Sequence, residues 1–434
     1  MNEASIALPG ITAVVRQINS GIVIEVLGDL DLYNTPTLEV ISVLRKKKDK
    51  SRSKSNFWFA SKKLRSATLS IIADCWISFQ ASLFPNLCSC EREPLTAKLK
   101  ELLDVFGQID FGPHLSWGGS WMGRKRIDRR AIARAFVAKA VYDLATTDLL
   151  IEILRLQPAL RKLCGFEKLR DVPSPATFSR AFKEFAETDL GDRVLEAMVQ
   201  RHVGDKVVLH ASSDSTEIDA REKGVATPKE LPVDKPSKLR GRPKKGEVRK
   251  PAEPTRIERQ LKQTIKEAVA ELPIVCNWGT KTNSQGHKHT WKGYKSHITW
   301  GDGNIPLAAI TTSASVHDSQ VAIPLMRTAA ERATICYDLM DAAYKATAIR
   351  EASEALNHVP IIDPKRNNGA VTWFSPAECE RYKERTTAER GNSRLKDEFG
   401  ARHVRVRGHA KVHMHILFGL IALFADQILK PTTG

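Results

Sequence analysis

The sequence has no Cys-x-x-Cys pair, no acidic excess and no apolar run long enough to span a bilayer. Its seven cysteines, at 75, 88, 90, 164, 276, 336 and 379, form no regular framework. That excludes a disulfide scaffold and fits a reducing compartment, with Cys75, Cys88 and Cys90 as metal ligands the alternative. The longest apolar stretch runs from Ile416 to Ala425 and stops at Asp426. No basic stretch followed by an apolar run opens the chain, so neither a secretory signal nor a membrane anchor is expected.

What is present is positive charge. The 434 residues carry 67 Lys+Arg against 50 Asp+Glu, a formal charge of +17, which calls for an anionic partner. Two windows hold nearly all of it: from Arg45 to Arg65 ten bases face one acid, and from Lys235 to Lys250 eight bases face one acid. Pro236, Pro243, Pro251 and Pro254 mark the second window as an extended linker. Inside it, Arg240-Gly241-Arg242-Pro243 followed by Lys244-Lys245 resembles the core of an AT-hook, whose arginines enter a narrow A·T minor groove. A basic linker that grips phosphates is the alternative, and both imply double-stranded DNA.

The length allows roughly three domains. Residues 1–44 alternate apolar and polar through Ile22–Leu27 and continue as Gly28-Asp29-Leu30-Asp31-Leu32; this order is similar to the start of a STAS domain, here truncated. Residues 45–110 read as a basic, irregular junction. Residues 115–200 read as a small all-α DNA-binding domain of helix-turn-helix type, with a helical cap carrying a solvated basic rim the alternative. Asp128 caps its first helix, with Ile132, Ala133, Phe136, Val137, Ala140, Val141 and Leu144 on one stripe, behind a rim at Arg124, Lys125, Arg126, Arg129 and Arg130. A second helix follows Thr147, and a third starts at Ser174-Pro175 and buries Phe178, Phe182 and Phe185.

Residues 206–430 change to strands and helices. Strands are expected at 207–218, 293–300, 305–314, 334–340 and 359–362, with helices around 320–332 and 346–356 and two more at the C-terminal end. This is the order of a ribonuclease H-like α/β fold with a mixed five-stranded sheet, interrupted by a basic insertion at 220–290.

Ser375-Pro376-Ala377-Glu378 carries a capping box and opens the penultimate helix. Along it, Tyr382, Arg385, Glu389 and Lys396 fall within an arc of about 60° at about 100° per residue. One carboxylate among two cations and a phenol makes poor core; it suits metal and phosphate. The Tyr-x2-Arg-x3-Glu-x6-Lys spacing resembles the signature of bacterial insertion-sequence DDE transposases, and the resemblance covers roughly residues 115–430.

The resemblance implies two further carboxylates, one in the first strand and one at the end of the fourth. They are carried onto Asp214 and Asp341, with Asp338 the alternative for the second. It implies that Asp214, Asp341 and Glu389 bind Mg²⁺ (or Mn²⁺) through oxygen, the ligand such ions prefer. Two ions would serve DNA cleavage and strand transfer, with Arg385 and Lys396 on phosphate and Tyr382 on the backbone. The implied partners are terminal inverted repeats and target DNA, and the implied state is a homo-oligomer on DNA in the cytoplasm, associated with the nucleoid. A catalytically inactive or domesticated DNA-binding protein derived from a transposase is the second hypothesis. The short gap from Asp363 to Ser375 leaves no room for the β-rich insertion that some relatives carry. His317-Asp318 follows the third strand and reads as a turn cap, with a place beside the site the alternative; Trp291, Trp300 and Trp373 read as sheet or loop aromatics rather than base-stacking platforms.

Overall fold

The computed structural model describes residues 3–8, 11–18, 21–27, 95–115, 127–224, 253–282, 286–364 and 373–430. The chain divides into two units, Met1–Gln80 and Ala81–Gly434. In the first, β1 (Glu3–Leu8), β2 (Ile11–Ile18) and β3 (Gly21–Leu27) form an antiparallel meander. The Gly28–Leu32 segment and the basic window at 45–65 lie outside the described residues, as do Cys75, Cys88 and Cys90.

The second unit opens with six helices: α1 (Ala97–Gln108), α2 (Arg129–Val141), α3 (Thr147–Leu156), α4 (Pro158–Cys164), α5 (Pro175–Glu187) and α6 (Leu190–His202). Helix α1 falls inside the stretch expected to be irregular. Thr96 caps it and Leu99, Leu102, Val105 and Phe106 bury one stripe, a signal too short to stand out beside the basic run. Asp128 caps α2 as expected, accepting from the Arg130 amide at 2.9 Å. Arg129 is not on a free rim: its guanidinium meets Glu184 at 2.9 Å, and Arg130 is itself buried.

A six-stranded sheet follows, one strand more than expected. Its strands are β4 (Val207–Asp219), β5 (Asn277–Thr282), β6 (Lys288–Gly301), β7 (Ile305–Ser313), β8 (Thr334–Met340) and β9 (Val359–Ile362). The central β4 pairs antiparallel with β6 and parallel with β8, which pairs parallel with β9. Strand β6 pairs antiparallel with β5 along its first half and with β7 along its second. The extra strand is β5. It lies in the insertion, whose described end also carries α7 (Arg256–Gln260) and α8 (Ile265–Ala270), each started by a Thr/Glu capping box that a basic-linker reading hides. Gly303 and Asn304 take positive φ in the β6–β7 turn, which their lack of Cβ and short polar side chain permit.

Helices α9 (Ala322–Ala330) and α10 (Thr347–Ala355) alternate with β8 and β9; α9, α10 and the end of β8 share a small core containing Ile323, Met326, Met340 and Ile349. A helical run then comprises α11 (Pro376–Tyr382), a 3₁₀ turn at Lys383–Arg385 and α12 (Thr386–Asp397). The last helix, α13 (His409–Leu429), is apolar on nearly every side and belongs to the main core. Its Phe418 stacks on Phe136 of α2 at 5.4 Å and approaches Phe182 and Phe185 of α5. His413 ties α13 to α6 through Asp192 (3.2 Å) and to β7 through Thr311 (2.9 Å). Among the described residues α13 is the one helix long and apolar enough to cross a membrane, and most of it lies inside the fold.

Candidate active site

The sheet register sets the first two carboxylates. Ser212 of β4 and Leu339 of β8 form the last pair of that parallel ladder, and Asp214 and Asp341 each stand two residues beyond it on their own chain segments. Asp341 ends β8 and caps the 3₁₀ turn Ala342–Tyr344, accepting from the Ala343 amide at 2.9 Å. Asp338, three residues earlier, is engaged elsewhere: Ser353 Oγ donates to it at 2.6 Å and His358 Nδ1 lies 2.9 Å away, all three side chains buried.

The helical run α11–α12 is clamped against this sheet. Ser212 Oγ donates to the Glu384 carbonyl (3.2 Å), and Asn392 Nδ2 donates to Asp214 Oδ2 (3.2 Å). The indole of Trp300, fully buried in β6, donates to Asn392 Oδ1 at 3.2 Å. Gly391 permits the approach, since a Cβ there would stand 2.5 Å from the Trp300 ring. Trp300 is thus a floor for the helix and unavailable to a DNA base. Trp291 is also buried and donates to the Tyr294 carbonyl, while Trp373 stands exposed before α11.

Of the four residues on the helix signature, three converge. Arg385 Nη2 contacts Glu389 Oε1 at 2.5 Å, and its guanidinium lies 5.9 Å from the Tyr382 ring centre. The Arg385 charge also acts on both Asp214 and Asp341. Glu389 itself is 56% exposed. Lys396 is the one that does not join them: its Nζ pairs with Glu217 of β4 at 3.2 Å. Arg240, Arg242, Lys244 and Lys245 lie outside the described residues.

The electrostatics divide along the same line. Burial pushes the Asp214 carboxyl above its ordinary value, with the Asp341 charge adding to the rise against Lys281 and Arg385. Burial likewise raises Asp341, with Asp318 adding to it. The Tyr382 phenol is pushed up to about 12, by burial first and then by the acids around it, against the pull of Arg385. It therefore stays protonated and able to donate at neutral pH.

Several participants were not apparent from the sequence. Asp318, taken as a turn cap, sits beside the site in an ion pair with Lys295 (Nζ–Oδ1 2.9 Å). Burial alone would raise its carboxyl, but His297 and Lys295 hold it below its ordinary value. Lys281 comes from β5, within the insertion, and Tyr344 from the turn after Asp341. Asn392 carried a usable signal, since it lies three residues after Glu389 and so shares its helix face.

Among the described residues no group of three or more His, Cys, Asp and Glu side chains is arranged to hold a metal ion, and Glu389 is paired with Arg385. The donor chemistry nevertheless suits a hard divalent cation: two desolvated carboxylates, one on β4 and one just past β8, whose charges a cation would neutralise.

Residues 214–425 match the family model described as Transposase DDE domain. A second model, Transposase domain (DUF772), matches residues 90–184. Both models describe transposase domains, and each covers less than half of the chain. No curated protein and no solved structure matches the chain. The transposase DDE match begins on Asp214 and contains Asp341 and Glu389, and the second spans α1 through most of α5.

Proposed function

We propose that the chain is a DNA transposase that binds the ends of its insertion sequence and carries out divalent-metal-dependent DNA cleavage and strand transfer, with Asp214, Asp341 and Glu389 as the catalytic carboxylates. What carries this reading is that Asp214 and Asp341, each two residues past the last pair of the β4–β8 ladder, are both desolvated carboxylates acted on by Arg385, whose guanidinium pairs with Glu389.

Asp214 and Asp341 would hold the metal, and Glu389 would complete the set once Arg385 lets it go. Mg²⁺ or Mn²⁺ supplies, when bound, activation of the attacking oxygen and stabilisation of the leaving oxygen at the phosphorus. The protein's own groups do the rest. Asn392 and the Ser215 amide both donate to the Asp214 carboxylate and fix its orientation. A phosphate entering beside Glu389 offers Arg385 a bidentate partner, so substrate itself would exchange the Arg385–Glu389 pair for an Arg385–phosphate pair. Tyr382, protonated, donates to a backbone oxygen, and Lys281 adds positive charge from β5. Lys396 serves through Glu217, holding α12 to β4. Arg240, Arg242, Lys244 and Lys245 grip DNA outside the site, and paired ends imply a homo-oligomer.

The test is a cleavage and joining assay with the full chain, Mg²⁺ or Mn²⁺, and DNA carrying the element's terminal repeats. Cleavage that disappears in Asp214→Asn, Asp341→Asn and Glu389→Gln is the expected result. DNA binding without cleavage under all metal conditions would favour a catalytically inactive DNA-binding protein instead.

A further inference from the structure

Tyr344 is the one side chain at this site with no evident employment. Its ring belongs to the small core with Met326, Met340, Ile349 and Ile362, and the residue is 1% exposed. Its hydroxyl is buried and has no hydrogen-bond partner among the described residues. Tyr344 lies on the turn that Asp341 caps, and the charges of Asp318, Asp214, Asp341 and Arg385 bear on its hydroxyl. Phenylalanine would fill the same space without burying an orphaned O–H. Buried polar groups are nearly always satisfied, so an unsatisfied one beside a functional centre asks what completes it.

We propose that Tyr344 is a positioning residue of the carboxylate site, whose hydroxyl donates a hydrogen bond to an oxygen of the Asp214–Asp341 pair, or to water on the cation, once a divalent cation is held there. The inference rests on the metal-binding reading of Asp214 and Asp341 given above. Three features of the chain support it. Tyr344 sits three residues after Asp341 on the 3₁₀ turn that the Asp341 carboxylate caps, so the two side chains are fixed by one turn. Burial, then the three carboxylates, push its phenol well above the ordinary range, so the group remains a donor at any working pH. Asp341 uses one oxygen for the Ala343 amide and Asp214 one for Asn392, which leaves each with acceptor capacity that a cation would orient. Partners of this kind, one step removed from the metal, fix ligand direction and raise metal affinity.

The test is Tyr344→Phe in the full chain, with Mn²⁺ alone as probe. Isothermal titration gives the cation affinity, and thermal unfolding gives stability with and without Mn²⁺. The expected result is a cation-free Tm equal to or above that of the parent, with Mn²⁺ affinity weakened by about 10-fold or more. Tyr344→Leu gives a second affinity measurement should the phenylalanine variant fold poorly. Unchanged Mn²⁺ affinity in a folded variant overturns the role of Tyr344 while leaving the metal site standing. If the parent chain binds no Mn²⁺, or Asp214→Asn binds it equally well, the metal-site reading falls and this inference with it.

Discussion

The two sides of the candidate site are built on opposite terms. On the sheet side, Asp214 and Asp341 are fixed by strand register, crowded by protein and pushed toward protonation. On the helix side, Glu389 is exposed and already paired with Arg385. A charge desolvated on a rigid strand is costly to hold and ready for a cation; a charge on a solvated helix face is cheap to hold and must first be released. Under the proposed function, the strands would supply the electrostatic demand for a metal, and the helix the part that responds to substrate.

The sharpest way to break that contrast is to neutralise the sheet side. Asp214→Asn or Asp341→Asn should reduce DNA cleavage by about 10³-fold or more, since metal-assisted charge stabilisation is worth several kcal/mol. The same substitutions should raise the Tm of the metal-free protein, because they remove a charge that burial disfavours. A fall in metal-free Tm for both would show that the sheet side is not strained by its charges.

The clamp between the sides comes next. Asn392→Ala leaves the Trp300 indole and one Asp214 oxygen without their partner, and should destabilise by about 1–3 kcal/mol in urea unfolding. Gly391→Ala drives a methyl into the Trp300 ring and should destabilise by about 1–3 kcal/mol through overpacking. Changes below a few tenths of a kcal/mol in both would mean that α12 is held by something else.

The pH dependence separates the sides more finely. Folded Asp214 and Asp341 have raised pKa values, so between the unfolded value and the folded one the native state holds more protons than the unfolded state. Their contribution to stability is therefore present below the unfolded value and lost as pH rises through the folded values. Protons and cations compete for the same oxygens, so stabilisation by Mg²⁺ should grow with pH over that window. Thermal melts at several pH values, with and without Mg²⁺, check this; Mg²⁺ stabilisation that shrinks with rising pH contradicts it.

The smallest stability effect belongs to the helix side. Glu389→Gln removes half of an exposed ion pair and should change stability by less than about 1 kcal/mol, while removing cleavage as fully as the sheet-side changes. Equal stability effects on the two sides would erase the distinction drawn between them.

Much of this arrangement was legible in the sequence because it is written locally. The spacing of Tyr382, Arg385 and Glu389 along one helical run, the capping box at Ser375, and the strand just before Asp341 all report patterns of a few residues. Strands β8 and β9 fall on the expected residues. Asp318 was ambiguous and Lys281 illegible for the opposite reason. A carboxylate after a strand looks like any turn cap until the fold sets Lys295 beside it, and a lysine in a basic insertion looks like linker until β5 pairs with β6. Lys396 shows the limit of helix geometry: its position on the shared face is set by spacing, but its partner, Glu217, is set by how α12 lies on β4.

Helix α13 has a consequence for how the protein is made. It closes a core shared with α2, α5 and α6, yet more than 200 residues separate the end of α6 from its own start. Contacts this distant form late. At about 5–20 residues per second, the early helices would wait roughly 10–40 s on the ribosome with their aromatic faces uncovered. A chain truncated at Gly408 should accordingly leave residues 97–202 open to protease, and resistance there would show that the helices close without α13. The supply of finished protein is then governed by how nascent chains are sheltered as well as by how often they are begun.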